Sequence, residues 1–304
     1  MTTLAEHAED YLRLRRALGF KLTGYDDPLS SFVAYVDAAG TGTVTAELAV
    51  SWAWLPAGIK PITASFRISW VRGFARYLHA IDPAHEVPPA GLLAVPRRRP
   101  APYLYSGEEV LRVLATARRL RPPLSAATYE TLFGLLAATG MRVGEALALT
   151  RRDVALVDGM LTIRHAKFDR MRLVPLHPST TAVLRRYALA RDHLCPDPPT
   201  DRFFHTGRVI QRWDAERVFL QITTQLGMRT DTTHPRIHDL RHSFAVRTLI
   251  DWQRDGTDVH TMLPVLSTYL GHIEPKNTYW YLSATPELMQ LAAARLDQHF
   301  GDRS

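Results

Sequence analysis

His238-Asp239-Leu240-Arg241-His242 opens a stretch that passes Leu270-Gly271-His272 and closes on Tyr279-Trp280-Tyr281. Read as a helix, its first segment sends His238 and Arg241 toward one side, because residues three apart are neighbours on a helical surface. A guanidinium beside an imidazole, a histidine after a glycine and a tyrosine nine residues later are what a phosphate site needs. An arginine fork grips phosphate oxygens in two places and keeps its charge at any workable pH.

Two other readings of this stretch stand beside that one. The blander is a helix N-terminus with incidental histidines, where Asp239 suits the first-turn dipole. The sharper is metal binding, since His-Asp-x-x-His is close to the zincin His-Glu-x-x-His. Arg241 argues against it, because a fixed cation beside the supposed ligands repels a metal. Pro235 also keeps His234 off the same continuous helix.

The rest of the chain supplies the partners for a phosphate site. Another candidate cation, Arg142, follows a glycine turn in Ala138-Thr139-Gly140-Met141-Arg142-Val143-Gly144-Glu145, with Glu145 one turn on. Past Leu149 the pattern changes from helix to strand. Val154–Val157 and Met160–Arg164 flank Asp158-Gly159, a hairpin signal. Arg164–Lys167 and Met171–Leu176 flank a second turn at Phe168-Asp169-Arg170, which puts Lys167 near a hairpin tip. Helices are expected from Ser106, whose Ser106-x-x-Glu109 is a capping box, to Arg119, and over 125–138, 179–193 and 213–226. Pro264 lies inside the apparent helix before His272, and a helix restarting there would accommodate it.

The first part of the chain reads as four helices: 4–18, 29–38, one capped by Thr45 and stopped by Pro56, and one after Pro61. In the last, Phe66, Trp70, Phe74 and Leu78 recur at every fourth position, with Arg72 and Arg76 on the other side. Prolines at 88, 89, 96, 100 and 102 then flank Arg97-Arg98-Arg99, a stiff basic linker. The expected fold is mainly α with a small antiparallel β-sheet (α+β). It divides into a helical unit over 1–95, a linker over 96–102 and a second domain over 103–304.

At 304 residues, with 46% hydrophobic and 22% charged side chains, the chain is long and apolar enough for two real cores. Its net charge of +7 favours a polyanionic partner, nucleic acid or membrane surface, without choosing between them. Cys195 is the only cysteine, so no disulfide forms within the chain and a reducing cytoplasm is the expected compartment. Glu6, Glu9 and Asp10 in the first ten residues fit no secretory signal, and no apolar run is long enough to span a membrane.

Taken in order, these boxes resemble the tyrosine recombinases of the phage-integrase type. The segment around Arg142 is similar to the family's first arginine box. Lys167 ahead of Arg172-Leu173-Val174-Pro175-Leu176 is similar to its hairpin lysine, His238-x-x-Arg241 to the second box, and Leu270-Gly271-His272 to the third. Tyr279 and Tyr281 both lie near the expected position of the nucleophile; spacing from His272 favours Tyr281, and helix geometry sends Tyr279 in a different direction. Any one box is common by chance; five in order are highly specific. The match spans about 103–300, and the N-terminal helices fit the family's core-binding domain more loosely. Asn277-Thr278-Tyr279-Trp280-Tyr281-Leu282-Ser283 further resembles a transposase-like branch on mobile elements.

The resemblance implies a site-specific recombinase, integrase or transposase that acts on double-stranded DNA. Arg142, Arg241 and His272 would stabilise the phosphodiester and Tyr281 would attack it. His238 is the candidate base, and Lys167 would protonate the departing 5′-hydroxyl. No cofactor, metal or nucleotide is implied. Arg72, Arg76, Arg97, Arg98 and Arg99 are candidate DNA contacts. The family also implies self-association into a tetramer on DNA, with helper proteins as further candidate partners, and a cytoplasmic, nucleoid-associated location. After Tyr281 a helix is expected with Leu288, Leu291, Ala292 and Phe300 on an apolar side, which either packs on its own domain or, as the family implies for residues 286–304, docks on a neighbouring protomer. Glu145 reads as a structural partner for an arginine, and His242 as a packing or hydrogen-bonding neighbour. The alternatives are a type IB topoisomerase-like nicking and rejoining enzyme, a catalytically silent DNA-binding protein and, last, a metal-dependent hydrolase.

Overall fold

A computed structural model describes residues 2–20, 22, 24–93, 101–164, 171–272, 274, 276–283, 288–290 and 293. Arg97, Arg98, Arg99, Lys167 and most of 286–304 lie outside the described residues. The chain forms two compact units, Met1–Arg99 and Pro100–Ser304.

In the first unit, α1 (Leu4–Ala17) starts at a Thr3–Glu6 capping box. Leu18, expected inside that helix, is instead its C-terminal cap and 64% exposed. Next, α2 spans Asp26–Ala38, three residues earlier than the apolar pattern implies, because Asp26 and Asp27 suit a helix start. In α3 (Ala46–Trp54) the Thr45 hydroxyl accepts from the Leu48 amide. Pro61 opens α4 (Pro61–Ile81), at the position where a missing N–H costs nothing. Phe32, Trp52, Phe74 and Leu78 fill the core of this unit.

The buried stripe of α4 is Ala64, Ile68, Val71, Phe74, Ala75 and Leu78, and Phe66 is 43% exposed. An every-fourth spacing drifts by about 40° per step against a 3.6-residue turn, so the Phe66 end of the expected row rotates outward. Arg76 is exposed. Arg72 is engaged: its Nε and Nη2 donate to the carbonyls of Pro88 and Pro89 at 2.8 and 2.9 Å, bracing the chain that leaves the helix.

The second unit is arranged around one central helix. After α5 (Gly107–Ala117, opened by the Ser106–Glu109 capping box) comes α6 (Pro123–Thr139), which packs against α5 and two helices described below. Tyr129, Leu132, Phe133, Leu135 and Leu136 are all buried although they point to different sides, so α6 shows no amphipathic stripe. A short helix, α7 (Val143–Ala148), then leads into the sheet.

Three strands, β1 (Val154–Ala155), β2 (Met160–Ile163) and β3 (Arg172–Pro175), pair antiparallel in sequence order. Ala155 pairs with Met160, so the first loop is four residues, 156–159, rather than the expected two. A type I′ Asp158-Gly159 turn needs left-handed backbone at both positions, and only Gly159 has it, at φ 62°. In the second pair Ile163 faces Arg172 and Leu161 faces Val174.

Further helices are α8 (Pro178–Leu194), α9 (Arg212–Gln225), α10 (Asp239–Arg254), α11 (Val259–Leu270) and α12 (Lys276–Tyr279). A 3-10 turn, Trp280–Ser283, follows α12. The two further partners of α6 are α8 and α10. Contrary to expectation, α11 does not restart at Pro264 but runs through it. Pro264 and His260, whose carbonyl loses its amide partner, both lie on the exposed side, where water can replace the bond. No helix among the described residues is long and apolar enough to cross a membrane.

Candidate active site

Two glycines set the site. At the end of α6, Gly140 adopts left-handed backbone with φ 60°, and a Cβ there would lie 2.5 Å from a ring carbon of Phe244. The chain therefore turns tightly and presents Arg142 as the N-cap of α7. At the end of α11, Gly271 is likewise left-handed with φ 68°. The last carbonyls of a helix have no partner within it, and here three arginines supply them. Arg172 Nε donates to the Tyr269 carbonyl at 3.2 Å, Arg241 Nη2 to Leu270 at 2.8 Å, and Arg142 Nη2 to Gly271 at 2.9 Å. Arg241 also donates through Nη1 to the Gly140 carbonyl at 2.8 Å and is 2% exposed. Two guanidiniums from separate helices thus sit on consecutive carbonyls, immediately before His272.

Glu145 holds this cluster together. Its carboxylate accepts from Arg142 Nη1 at 2.8 Å and from both Nη atoms of Arg172 at 2.9 and 2.8 Å. Burial opposes its ionisation, but the hydrogen bonds and charge of Arg172, then those of Arg142, outweigh burial and hold its pKa at about 2. Arg241 is pushed down to about 10 by burial and by Arg142, so it stays charged at neutral pH.

The histidines form the other wall. His272 Nδ1 meets the hydroxyl of buried Thr278 at 2.7 Å, which leaves Nε2 as the ring nitrogen for a substrate. The His272 ring stacks on Tyr281 at 6.2 Å between centroids. Tyr281 is 2% exposed, and its hydroxyl lies 3.0 Å from His242 Nδ1. His242 in turn meets the His238 ring edge-on at 4.9 Å and the Trp280 ring at 5.6 Å. Burial, then the neighbouring arginines, pushes His272 down to about 3. Burial, then His238, pushes His242 down to about 4. Desolvation and Arg241 push His238 to about 4 as well, although this residue keeps solvent contact that screens part of the effect. These lowered values favour the neutral form of all three rings at pH 7.

Of the residues singled out from the sequence, Arg142, His238, Arg241, His272 and Tyr281 come together in one place. Lys167 lies outside the described residues. Tyr279 is 47% exposed, whereas Tyr281 is inside. Among the described residues no group of three or more His, Cys, Asp or Glu side chains is arranged to hold a metal ion.

His242, expected as a packing or hydrogen-bonding neighbour, is the ring that meets the tyrosine hydroxyl, and His238 meets His242. One partner was not foreseen. Arg172, part of the hairpin box but given no role, is the second partner of Glu145. Strand alternation carries a signal for it: Arg172 shares a face with buried Val174 and alternates with exposed Leu173, and an arginine on a buried face implies a partner.

Known proteins resemble this chain in sequence and in fold. The phage integrase family model matches residues 105–287. A Sinorhizobium fredii protein named "Putative integrase/recombinase y4rB" is 41% identical over the whole of both chains. Tyrosine recombinase XerD of Rhizobium meliloti is 27% identical over 93% of this chain and 92% of its own. The fold is similar to that of XerH site-specific recombinase bound to a palindromic difH substrate, with a TM-score of 0.66, 21% identity and coverage of 97% of this chain and 85% of that one. It is also similar to the Tn1549 transposon integrase bound to transposon right-end DNA, with a TM-score of 0.64, 13% identity and coverage of 96% and 98%. The chain belongs to the phage integrase family, the tyrosine recombinases.

Proposed function

We propose that this protein breaks and rejoins double-stranded DNA at specific sites, with Tyr281 as the nucleophile. The observation that carries the reading is the pair of guanidiniums, Arg142 and Arg241, on consecutive carbonyls beside a His272 ring stacked on Tyr281. A phosphodiester gains negative charge on its non-bridging oxygens as it is attacked, and donors fixed beforehand stabilise that charge without reorganising.

The Tyr281 oxygen bonds to phosphorus while the bond from phosphorus to the 5′-oxygen breaks. Its proton passes to His242 Nδ1, the nitrogen already 3.0 Å away, with the neutral His238 ring behind it as the next acceptor. The departing 5′-oxygen takes a proton, for which Lys167 is the donor on the sequence resemblance. The product is a 3′-phosphotyrosyl link and a free 5′-hydroxyl. A 5′-hydroxyl from another strand reverses the step, so strand exchange needs no nucleotide hydrolysis.

The four helices of the first unit add duplex contacts, with Arg76 on their exposed surface and Arg97-Arg98-Arg99 in the connecting segment. Leu288 packs in the core of its own domain, so within 286–304 it is the part beyond Leu288 that is proposed to dock on a neighbouring protomer, and recombination is proposed to proceed in a DNA-bound tetramer. Deleting the residues beyond Leu288 is expected to abolish recombination and spare specific DNA binding; recombination at the wild-type rate would remove this part of the proposal.

The test is direct. A duplex recovered by selection from a random pool is nicked beside the cleavage position, incubated with protein and denatured. A covalent protein–DNA band that is absent with Tyr281→Phe and present with Tyr279→Phe is expected. The opposite pattern moves the nucleophile to Tyr279. Binding without any band makes the protein a silent DNA binder, and relaxation of supercoils without strand exchange makes it a topoisomerase-like enzyme.

A further inference from the structure

Arg172 closes a ring of hydrogen bonds that begins and ends on the C-terminus of α11. From the Tyr269 carbonyl the ring passes through Arg172 Nε, then through both Nη atoms to the two oxygens of Glu145. From Glu145 it passes through Arg142 Nη1 and Nη2 to the Gly271 carbonyl, two residues from its origin. The side chains of Arg172 and Glu145 are 12% and 11% exposed, whereas Arg142 is 39% exposed. Arg172 is thus enclosed, and Arg142 is the member that opens toward solvent. The backbone also lies against the Arg172 guanidinium: a Cβ on Gly271 would fall 2.6 Å from its Nη1.

We infer that Arg172 is a positioning residue for strand cleavage: it fixes the Arg142 guanidinium through Glu145 and the His272 turn through the Tyr269 carbonyl. The inference rests on the DNA-cleavage reading above and extends it to a residue that does not meet the phosphate. A carboxylate shared between two arginines has its rotamer fixed by the pair. With Arg172 removed, Glu145 keeps the Arg142 backbone amide at 3.0 Å and Arg142 Nη1 but loses the two bonds that hold its carboxylate plane from β3. Arg142 and His272 must serve the same phosphate, and Arg172 is the side chain that touches the supports of both. It also ties that pair to β3. Lysine cannot replace it, because a single ammonium does not span two carboxylate oxygens and a carbonyl at once.

The experiment uses the full chain and the selected nicked duplex, with single-turnover formation of the Tyr281 adduct measured against protein concentration. For Arg172→Met the maximal rate is expected to fall about 10–100-fold, the cost of misplacing a catalytic group by roughly 1 Å. The concentration giving half-maximal rate is expected to stay near wild type, and Arg172→Lys is expected to recover part of the loss. Because Arg172 acts largely through Arg142, adding Arg142→Ala to Arg172→Met should cost much less than it costs alone. A wild-type rate in Arg172→Met, a loss confined to half-saturation, or full additivity with Arg142→Ala overturns the inference. Failure of both Arg172→Met and Arg172→Lys to give a cooperative thermal transition assigns the residue to stability and also overturns it. Absence of any Tyr281-dependent adduct with the wild-type protein is a failure of the cleavage reading instead.

Discussion

The Tyr281 hydroxyl and His242 Nδ1 lie 3.0 Å apart, with the tyrosine enclosed by the rings of His242, His272 and Trp280. A neutral imidazole with its proton on Nε2 accepts the phenolic hydrogen at Nδ1 and fixes the direction of the oxygen. An unperturbed tyrosine ionises only near pH ~10, so attack at neutral pH needs an acceptor at that atom. Replacing His242 by Phe keeps a ring in the wall and removes the acceptor. Adduct formation from a nicked duplex is then expected to slow about 100-fold, the usual contribution of a positioned base. DNA affinity, measured by mobility shift, is expected to be unchanged; an unaltered adduct rate would return the proton to His238.

The two clamp arginines are expected to separate in stability though not in chemistry. Arg142→Ala and Arg241→Ala should each lower the cleavage rate roughly 100–1,000-fold, as loss of one preorganised donor to a developing charge does. Arg241 is 2% exposed and serves the carbonyls of Gly140 and Leu270, whereas Arg142 is more open and its loss leaves Glu145 paired with Arg172. A buried carbonyl left without a donor costs about 1–3 kcal/mol. Arg241→Ala should therefore unfold at clearly lower temperature than Arg142→Ala in calorimetry. Equal midpoints would mean that water replaces the Arg241 donors freely.

Two glycines in the first arginine box are expected to respond to alanine with opposite sign. At Gly140, φ 60° and a Cβ position 2.5 Å from Phe244 and 3.1 Å from Leu270 leave no room, so Gly140→Ala should destabilise by about 1–3 kcal/mol. At Gly144, within α7, nothing lies within 4 Å of a Cβ and the backbone is helical. Gly144→Ala should stabilise by about 0.5–1 kcal/mol. Urea titration of the two variants measures both values on one scale.

The helices, and the boxes whose residues converge at the candidate site, were legible because each carries a local signal. Thr3, Thr45 and Ser106 cap helices, Pro61 opens one, and the arginine boxes keep a fixed order. What escaped depends on tertiary placement. Phe66 matched a spacing that drifts away from the true helical face. The loop after β1 is longer than its Asp-Gly dipeptide implies, because Asp158 has no left-handed backbone. Pro264 stays inside α11 because the helix can expose the carbonyl it orphans. The link from Arg172 through Glu145 to Arg142 joins positions far apart in the chain, and no single window of sequence contains it.

The neutral histidines and ionised Glu145 of the site both make the fold less stable in acid. Burial holds His272 at about 3 and His242 at about 4, below the value of 6.5 an unfolded histidine has. Between pH 6.5 and those values the unfolded chain binds protons that the folded site refuses, so stability falls as pH falls. Above pH 6.5 both states are neutral at these rings, and they give no pH dependence. Glu145 acts in a lower window. Its pKa of about 2 against 4.5 contributes stability that is complete above pH 4.5 and lost as pH falls toward 2. The thermal midpoint is therefore expected to decline from pH 7 to pH 5 through the histidines, then more steeply below pH 4.5 as Glu145 and its arginines separate. In His242→Phe the first decline should be shallower while the second is retained. Melting curves in a pH series check both, and a decline from pH 7 to pH 5 as steep in His242→Phe as in wild type would place the proton-sensitive group elsewhere.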